Sequence, residues 1–258
     1  VTHNYHPELT FKSSGTTKSG RSSHYVLCKE MYEHSFFTTY EQNFGSLENQ
    51  VVLALLPNYI QQGESSLVYM VDYLIRSSND PQSGFYLKNQ QDLIDTIYKL
   101  KKNNTKKVVL FGVSYALLDL AEKNIDLSGV TVIETGGMKG RRKEMVKEEL
   151  HELLKNGLNL SHVNSEYGMT ELLSQAYLDN DLNFKAPNWM KIQIRDVNDP
   201  FSILPDGHTG GVNVIDLANL YSCSFIATDD LGKKEADFFK ILGRFDNSDI
   251  RGCNLLVN

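Results

Sequence analysis

Strand-like and helix-like segments alternate through the first two thirds of this chain, and that alternation restricts its fold more than any other feature. Lys29–Phe44 mixes aromatic and charged residues at helical spacing, while residues 51–56 form an unbroken apolar run closed by Pro57, the pattern of a buried strand. Helices are predicted over residues 65–78 and Gln90–Asn103, then a strand over 108–113, a helix over 115–123 and a strand over 130–134. A charged amphipathic helix over 141–156 and a short strand over 160–164 complete the series. Such alternation implies an α/β fold with a mostly parallel sheet and flanking helices, in which ligands sit beyond the carboxyl ends of the strands.

From about Trp189 the character changes: Met190–Arg195 and residues 211–216, 225–228 and 238–242 read as strands separated by Pro, Gly and Asp turns. The expected organisation is an α/β part over 1–188 and a smaller β-rich subdomain over 189–258, packed as one structural unit. With 41% hydrophobic and 22% charged residues over 258 positions, the chain has the composition of a globular protein with a sizeable core. No apolar run approaches a membrane span. A formal net charge of −6 argues against a nucleic-acid coat and leaves small anionic ligands allowed. Cys28, Cys223 and Cys253 have neither disulfide nor zinc spacing, and the polar start Val1-Thr-His-Asn lacks a signal-peptide pattern, so a cytoplasmic setting is expected.

Several polar segments have compositions suited to chemistry. Phe11-Lys-Ser-Ser-Gly-Thr-Thr-Lys-Ser-Gly-Arg21 combines glycines at 15 and 20 with hydroxyls at Ser13, Ser14, Thr16 and Thr17 and the planar cation of Arg21. Backbone amides, hydroxyls and a guanidinium together suit polyphosphate, although the segment is not a Walker loop and the same composition suits a surface linker. Glu134-Thr-Gly-Gly, residues 164–171 and Thr228-Asp-Asp-Leu-Gly each follow a predicted strand. Gly136 and Gly137 suit a base lying against backbone, Tyr167 its covering face, Asp230 a pair of ribose hydroxyls, and Glu171 a magnesium ion. Taken singly, Gly-Gly and Asp-Asp-Leu-Gly are also ordinary turns, and Glu171 also suits a helix N-terminus.

In order, Ser-Ser-Gly-Thr-Thr-(x)3-Arg, Thr-Gly-Gly, Glu-Tyr-Gly-Met-Thr-Glu, Thr-Asp-Asp-Leu-Gly and Gly243-Arg-Phe-Asp resemble the motif set of the adenylate-forming superfamily. That superfamily includes acyl-CoA synthetases, peptide-synthetase adenylation domains and luciferases. Residues 11–21, 134–142, 165–175 and 243–253 look most like its acyl-protein synthetase branch, typified by the fatty-acid-activating component of the bacterial luminescence reductase complex.

The resemblance implies the large N-terminal domain of that superfamily and an ATP- and Mg2+-dependent ligase making an acyl-adenylate from a carboxylic acid, with a fatty acid as the expected substrate. It implies phosphate binding by Ser14, Gly15, Thr16, Thr17 and Arg21, and adenine contact at Gly136, Gly137, Tyr167 and Gly168. Thr170 would touch the α-phosphate, Glu171 would hold magnesium, and Asp230 and Arg244 would hold ribose. Arg21 stands where a lysine is usual, Lys18 where a glycine is, and Gly20 where a proline is. The chain ends soon after Gly243-Arg-Phe-Asp, where longer members continue into a mobile C-terminal domain with a catalytic lysine; either a shorter acyl-protein-synthetase-like design manages without that lysine, or Lys18 or Arg21 is the candidate substitute. Cys253 is the expected acyl carrier, with Arg251 nearby to favour its thiolate and a partner protein as a further acyl acceptor. The alternatives are a small buried cysteine in a final strand, and a nucleotide- or acyl-binding regulatory or partner subunit.

Overall fold

The computed structural model describes residues 6–13, 22–56, 64–86, 90–103, 105–136, 142, 145–178 and 182–245. A two-stranded hairpin comes first, β1 (Leu9–Lys12) against β2 (Ser23–Val26). It leads into α1 (Lys29–Phe44), which turns Tyr32, Phe36, Tyr40 and Phe44 into the core at a four-residue spacing. The helix stops at Gly45, whose φ of +86° favours glycine.

One 11-stranded sheet carries the rest. Its parallel half runs β4 (Gly84–Phe85), β3 (Gln50–Leu55), β5 (Lys107–Gly112), β6 (Thr131–Glu134), β7 (Asn164–Tyr167). All six residues of β3 are buried, as its apolar run requires of a strand covered on both faces. Helices α2 (Ser66–Ser77), α3 (Gln90–Asn103), α4 (Ser114–Ala121) and α5 (Lys147–Leu158) alternate with these strands.

Beyond β7 every pairing is antiparallel, through β8 (Ala176–Leu178), β9 (Phe184–Lys185), β13 (Phe238–Arg244), β12 (Phe225–Glu235), β11 (Thr209–Asp216) and β10 (Met190–Arg195). The main hydrophobic cluster lies chiefly with the parallel half. A second, around Tyr167, Phe184, Ile192, Val214 and Phe239, lies with the antiparallel half. The indole of Trp189 donates to Ser35 Oγ at 2.9 Å and to Ser174 Oγ at 3.0 Å, and buried Asp216 accepts from the amides of Leu173 and Ser174. These bonds tie α1 to the chain after β7 and to the end of β11.

Three expectations are corrected. The strand expected at 160–164 is β7 at Asn164–Tyr167: Leu160 and Val163 are buried, but Asn159 is in the left-handed conformation and the Leu160 amide returns to Lys155 O, so the apolar run serves the end of α5. The helix expected from 141 begins at Lys147, because Val146 is extended and Arg142 instead pairs with Asp119 and Glu122. The turn expected at 228–232 lies inside β12. A Cβ on Gly232 would meet Lys240 O at 2.7 Å, so this glycine serves close strand approach at a bulge.

Candidate active site

The carboxyl ends of β5, β6 and β7 lie side by side, and each delivers polar residues into one region. Buried Glu134, the last residue of β6, gathers them. Its Oε1 accepts from Ser114 Oγ at 2.5 Å and from the Gly136 amide at 2.6 Å. Its Oε2 accepts from Lys147 Nζ at 2.9 Å and Ser165 Oγ at 2.8 Å. Burial alone would raise the carboxyl's pKa, but the Lys147 ammonium and the Ser114 and Ser165 hydroxyls outweigh it and hold the group well below the usual range.

His151 lies 2.9 Å from Ser165 Oγ through Nε2. Because the Ser165 hydroxyl donates to Glu134, His151 must donate here, which assigns its proton to Nε2. Burial, aided by the charge of Lys147, lowers the pKa of His151 and keeps the ring neutral.

Two residues along β7 from Ser165, Tyr167 is buried against Phe184 and Phe239 and donates from Oη to Asp230 Oδ2 at 2.8 Å. Arg244 Nε stands 3.5 Å from Asp230 Oδ1. Burial raises the pKa of Asp230 against the opposing effects of Tyr167 and Arg244. Tyr167, Asp230 and Arg244, more than 60 residues apart at their extremes of sequence, thus converge. Gly168 follows, and a Cβ there would push against the carboxylate end of Glu166. Desolvation, with the charge of Glu134, pushes Glu166 up to about 8.

The hairpin reaches the same strand end. The Ser13 amide donates to Ser22 O at 2.9 Å, and Ser13 Oγ accepts from the Ser22 amide at the same distance. Ser22 Oγ in turn donates to Glu171 Oε1 at 2.9 Å, while Glu171 O accepts from Asn219 Nδ2. The mouth of the glycine- and hydroxyl-rich loop is therefore fastened to the turn that holds Thr170 and Glu171. His24, two residues along β2, has a buried Nε2 without a hydrogen-bond partner, and burial lowers its pKa while Glu171 opposes the shift.

Of the residues selected from sequence, Ser13, Gly136, Tyr167, Gly168, Thr170, Glu171, Asp230 and Arg244 are described. Ser14, Gly15, Thr16, Thr17, Arg21, Gly137 and Cys253 lie outside the described residues. Glu134, Ser165 and Glu166 lie in segments singled out from sequence but were given no role there, and Lys147 and Ser22 were not selected; the one signal for Glu134 itself is a charge closing an apolar strand. Among the described residues no group of three or more His, Cys, Asp or Glu side chains is placed to hold a metal ion. Magnesium bound through phosphates needs only one or two carboxylates, and Glu171 beside the Ser22 hydroxyl is a donor set that fits it. No helix among the described residues is long and apolar enough to cross a membrane.

The family profile described as acyl-protein synthetase, LuxE, matches residues 66–258. Among solved structures, ATP-bound MatB from Rhodopseudomonas palustris is similar at 17% identity and a TM-score of 0.65, covering 91% of this chain and 47% of that one. A long-chain-fatty-acid-CoA ligase from Archaeoglobus fulgidus (16% identity, TM-score 0.65) covers 90% and 50%, respectively. O-succinylbenzoate coenzyme A synthetase from Bacillus subtilis, in complex with AMP (17% identity, TM-score 0.63), covers 93% and 49%. The chain spans about half the length of the solved structures it matches. Comparison with curated proteins found no match. The fold is that of the large N-terminal domain of adenylate-forming enzymes.

Proposed function

Because this chain belongs to the acyl-protein synthetase (LuxE) family, we propose that it uses ATP to activate a carboxylic acid, with a fatty acid as the favoured substrate, as an acyl-adenylate. The observation that carries this reading is the strand end at Tyr167–Glu171. On one side it meets Asp230 and Arg244, and on the other the mouth of the hydroxyl-rich loop.

In this reading adenine lies against Gly136 and Gly137 with Tyr167 and Gly168 along its other border, and ribose hydroxyls donate to Asp230 beside Arg244. Ser13, Ser14, Gly15, Thr16, Thr17 and Arg21 hold the phosphates. Glu171 would hold magnesium, which supplies positive charge against the phosphate oxygens. Thr170 and Arg21 orient the α-phosphate. A substrate carboxylate oxygen attacks the α-phosphorus, the bond to the bridging oxygen breaks, and pyrophosphate leaves with the electron pair. Holding both reactants in line and meeting the developing charge supply the acceleration.

The adenylate is poised for a second step. The Cys253 thiolate attacks its carbonyl carbon, a thioester forms, and AMP leaves; the thiol proton passes to solvent. A partner protein then takes the acyl group. Acid-dependent exchange of labelled pyrophosphate into ATP, run over a series of carboxylic acids, tests the first step. ATP binding without exchange for any acid would contradict it and leave a nucleotide-binding partner subunit.

A further inference from the structure

Glu134 is buried and fully hydrogen-bonded, and the proposed reaction leaves it without a task. Its four acceptor positions are filled by donors from α4, α5 and β7 and from the backbone just after β6. One of those donors is the backbone amide of Gly136, the residue against which the base would lie. The preceding amide is spent as well, since Thr135 N–H donates to Gly112 O at 3.0 Å. Gly136 has a φ of +72°, and a Cβ built there would meet no described residue within 4 Å.

We infer that Glu134 is a positioning residue that sets nucleobase choice by drawing the Gly136 N–H inward. The inference rests on the nucleotide-binding reading of this cleft. With both amides turned into the protein, the backbone at residues 135 and 136 has carbonyl acceptors and no free donor for a base, and the Thr135 hydroxyl is turned toward Gly112 O at 3.5 Å. The 6-amino group of adenine is a donor and suits that edge; O6 of guanine is an acceptor and faces like charge. Lys147 keeps Glu134 ionised, and the ionised form is the one that accepts from all four donors at once.

Glu134→Gln separates this role from bulk structure. An amide has one acceptor end, and the Lys147 charge will claim it. The NH2 end then faces Ser114 and Gly136, and the Gly136 amide loses its acceptor and becomes available to the cleft. Calorimetric titrations with ATP and GTP should show a wild type that prefers ATP, and a Glu134→Gln protein whose ATP-to-GTP affinity ratio has fallen by about tenfold or more. Ser114→Ala removes the neighbouring donor but keeps the Gly136 bond, so it should lose stability and keep the wild-type ratio.

An ATP-selective wild type whose Glu134→Gln variant retains the same ratio removes the role of Glu134 and leaves the nucleotide reading standing. A wild type that binds neither nucleotide removes both. If Glu134→Gln does not fold, amide exchange in the wild type decides: the Gly136 amide should be protected before any nucleotide is added, and ATP should not change that. An amide that exchanges freely until ATP is added would overturn the inference.

Discussion

Two buried carboxylates flank β7, and the strand reaches both from one face. Ser165 donates to Glu134 at 2.8 Å and Tyr167, two residues on, donates to Asp230 at 2.8 Å. There the likeness ends. Glu134 has four close donors, one of them an ammonium, and its pKa is depressed. Asp230 has one close side-chain donor and a guanidinium at 3.5 Å, and burial raises its pKa. A carboxylate whose acceptors are all used is frame; one with acceptor capacity remaining is suited to receive ligand hydroxyls.

The largest expected consequence of that difference is in stability. Glu134→Ala leaves Lys147 without its anion and three further donors unmatched, and should cost about 3–5 kcal/mol in urea unfolding. Asp230→Ala strands only the Tyr167 hydroxyl and should cost about 1 kcal/mol. Equal losses at the two positions would erase the distinction between frame and ligand site.

Next in size is catalysis at the turn beyond Tyr167. Glu171→Gln keeps the side chain's volume and can still accept from Ser22, so the fold should hold while pyrophosphate exchange falls about a hundredfold. Near-normal exchange at saturating magnesium would take Glu171 out of the metal role. Asp230→Ala should then act on binding: the apparent KM for ATP should rise about tenfold, with a smaller change in turnover, because a ribose held by Asp230 would be held alike in ground and transition states. An effect confined to turnover would contradict the ribose assignment.

A further effect is a slope against pH. Glu166, beside Ser165 on β7, ionises at about 8 in the folded protein and at its usual value near 4.5 when unfolded. Between those values the unfolded chain has lost the proton that the folded chain keeps, so Glu166 lowers stability steadily as pH rises from about 4.5 to 8. Glu166→Gln removes this contribution, and its Tm should gain on the wild type by ~3–5 °C for each pH unit climbed within that interval, at ~1.4 kcal/mol per unit and ~2–4 °C per kcal/mol. Parallel melting curves across the range would contradict the raised pKa.

Much of the fold is legible because periodicity reports burial. Tyr32, Phe36 and Tyr40 mark α1, and the apolar alternation of Met190–Arg195 marks β10, both with the bounds observed. Composition misleads where a residue serves a neighbour rather than its own segment: Asp229, Asp230 and Gly232 have the makeup of a turn, yet Gly232 is small because Lys240 O approaches it. At the candidate site, the ordered motifs led to Tyr167, Glu171, Asp230 and Arg244. They did not lead to Glu134, since its partners Ser114, Lys147 and Ser165 stand 20, 13 and 31 positions away and only the sheet brings them together. The same holds for Ser22 and Glu171, 149 positions apart.

The central claim is that the Asp230 side of β7 receives the sugar of a nucleotide. It is tested most directly by titrating the wild-type protein calorimetrically with ATP and with 2′,3′-dideoxy-ATP. The account predicts that ATP binds about tenfold or more tightly, because the analogue lacks both hydroxyls that Asp230 would accept from. Equal affinity for the two, or no binding of either, would contradict it.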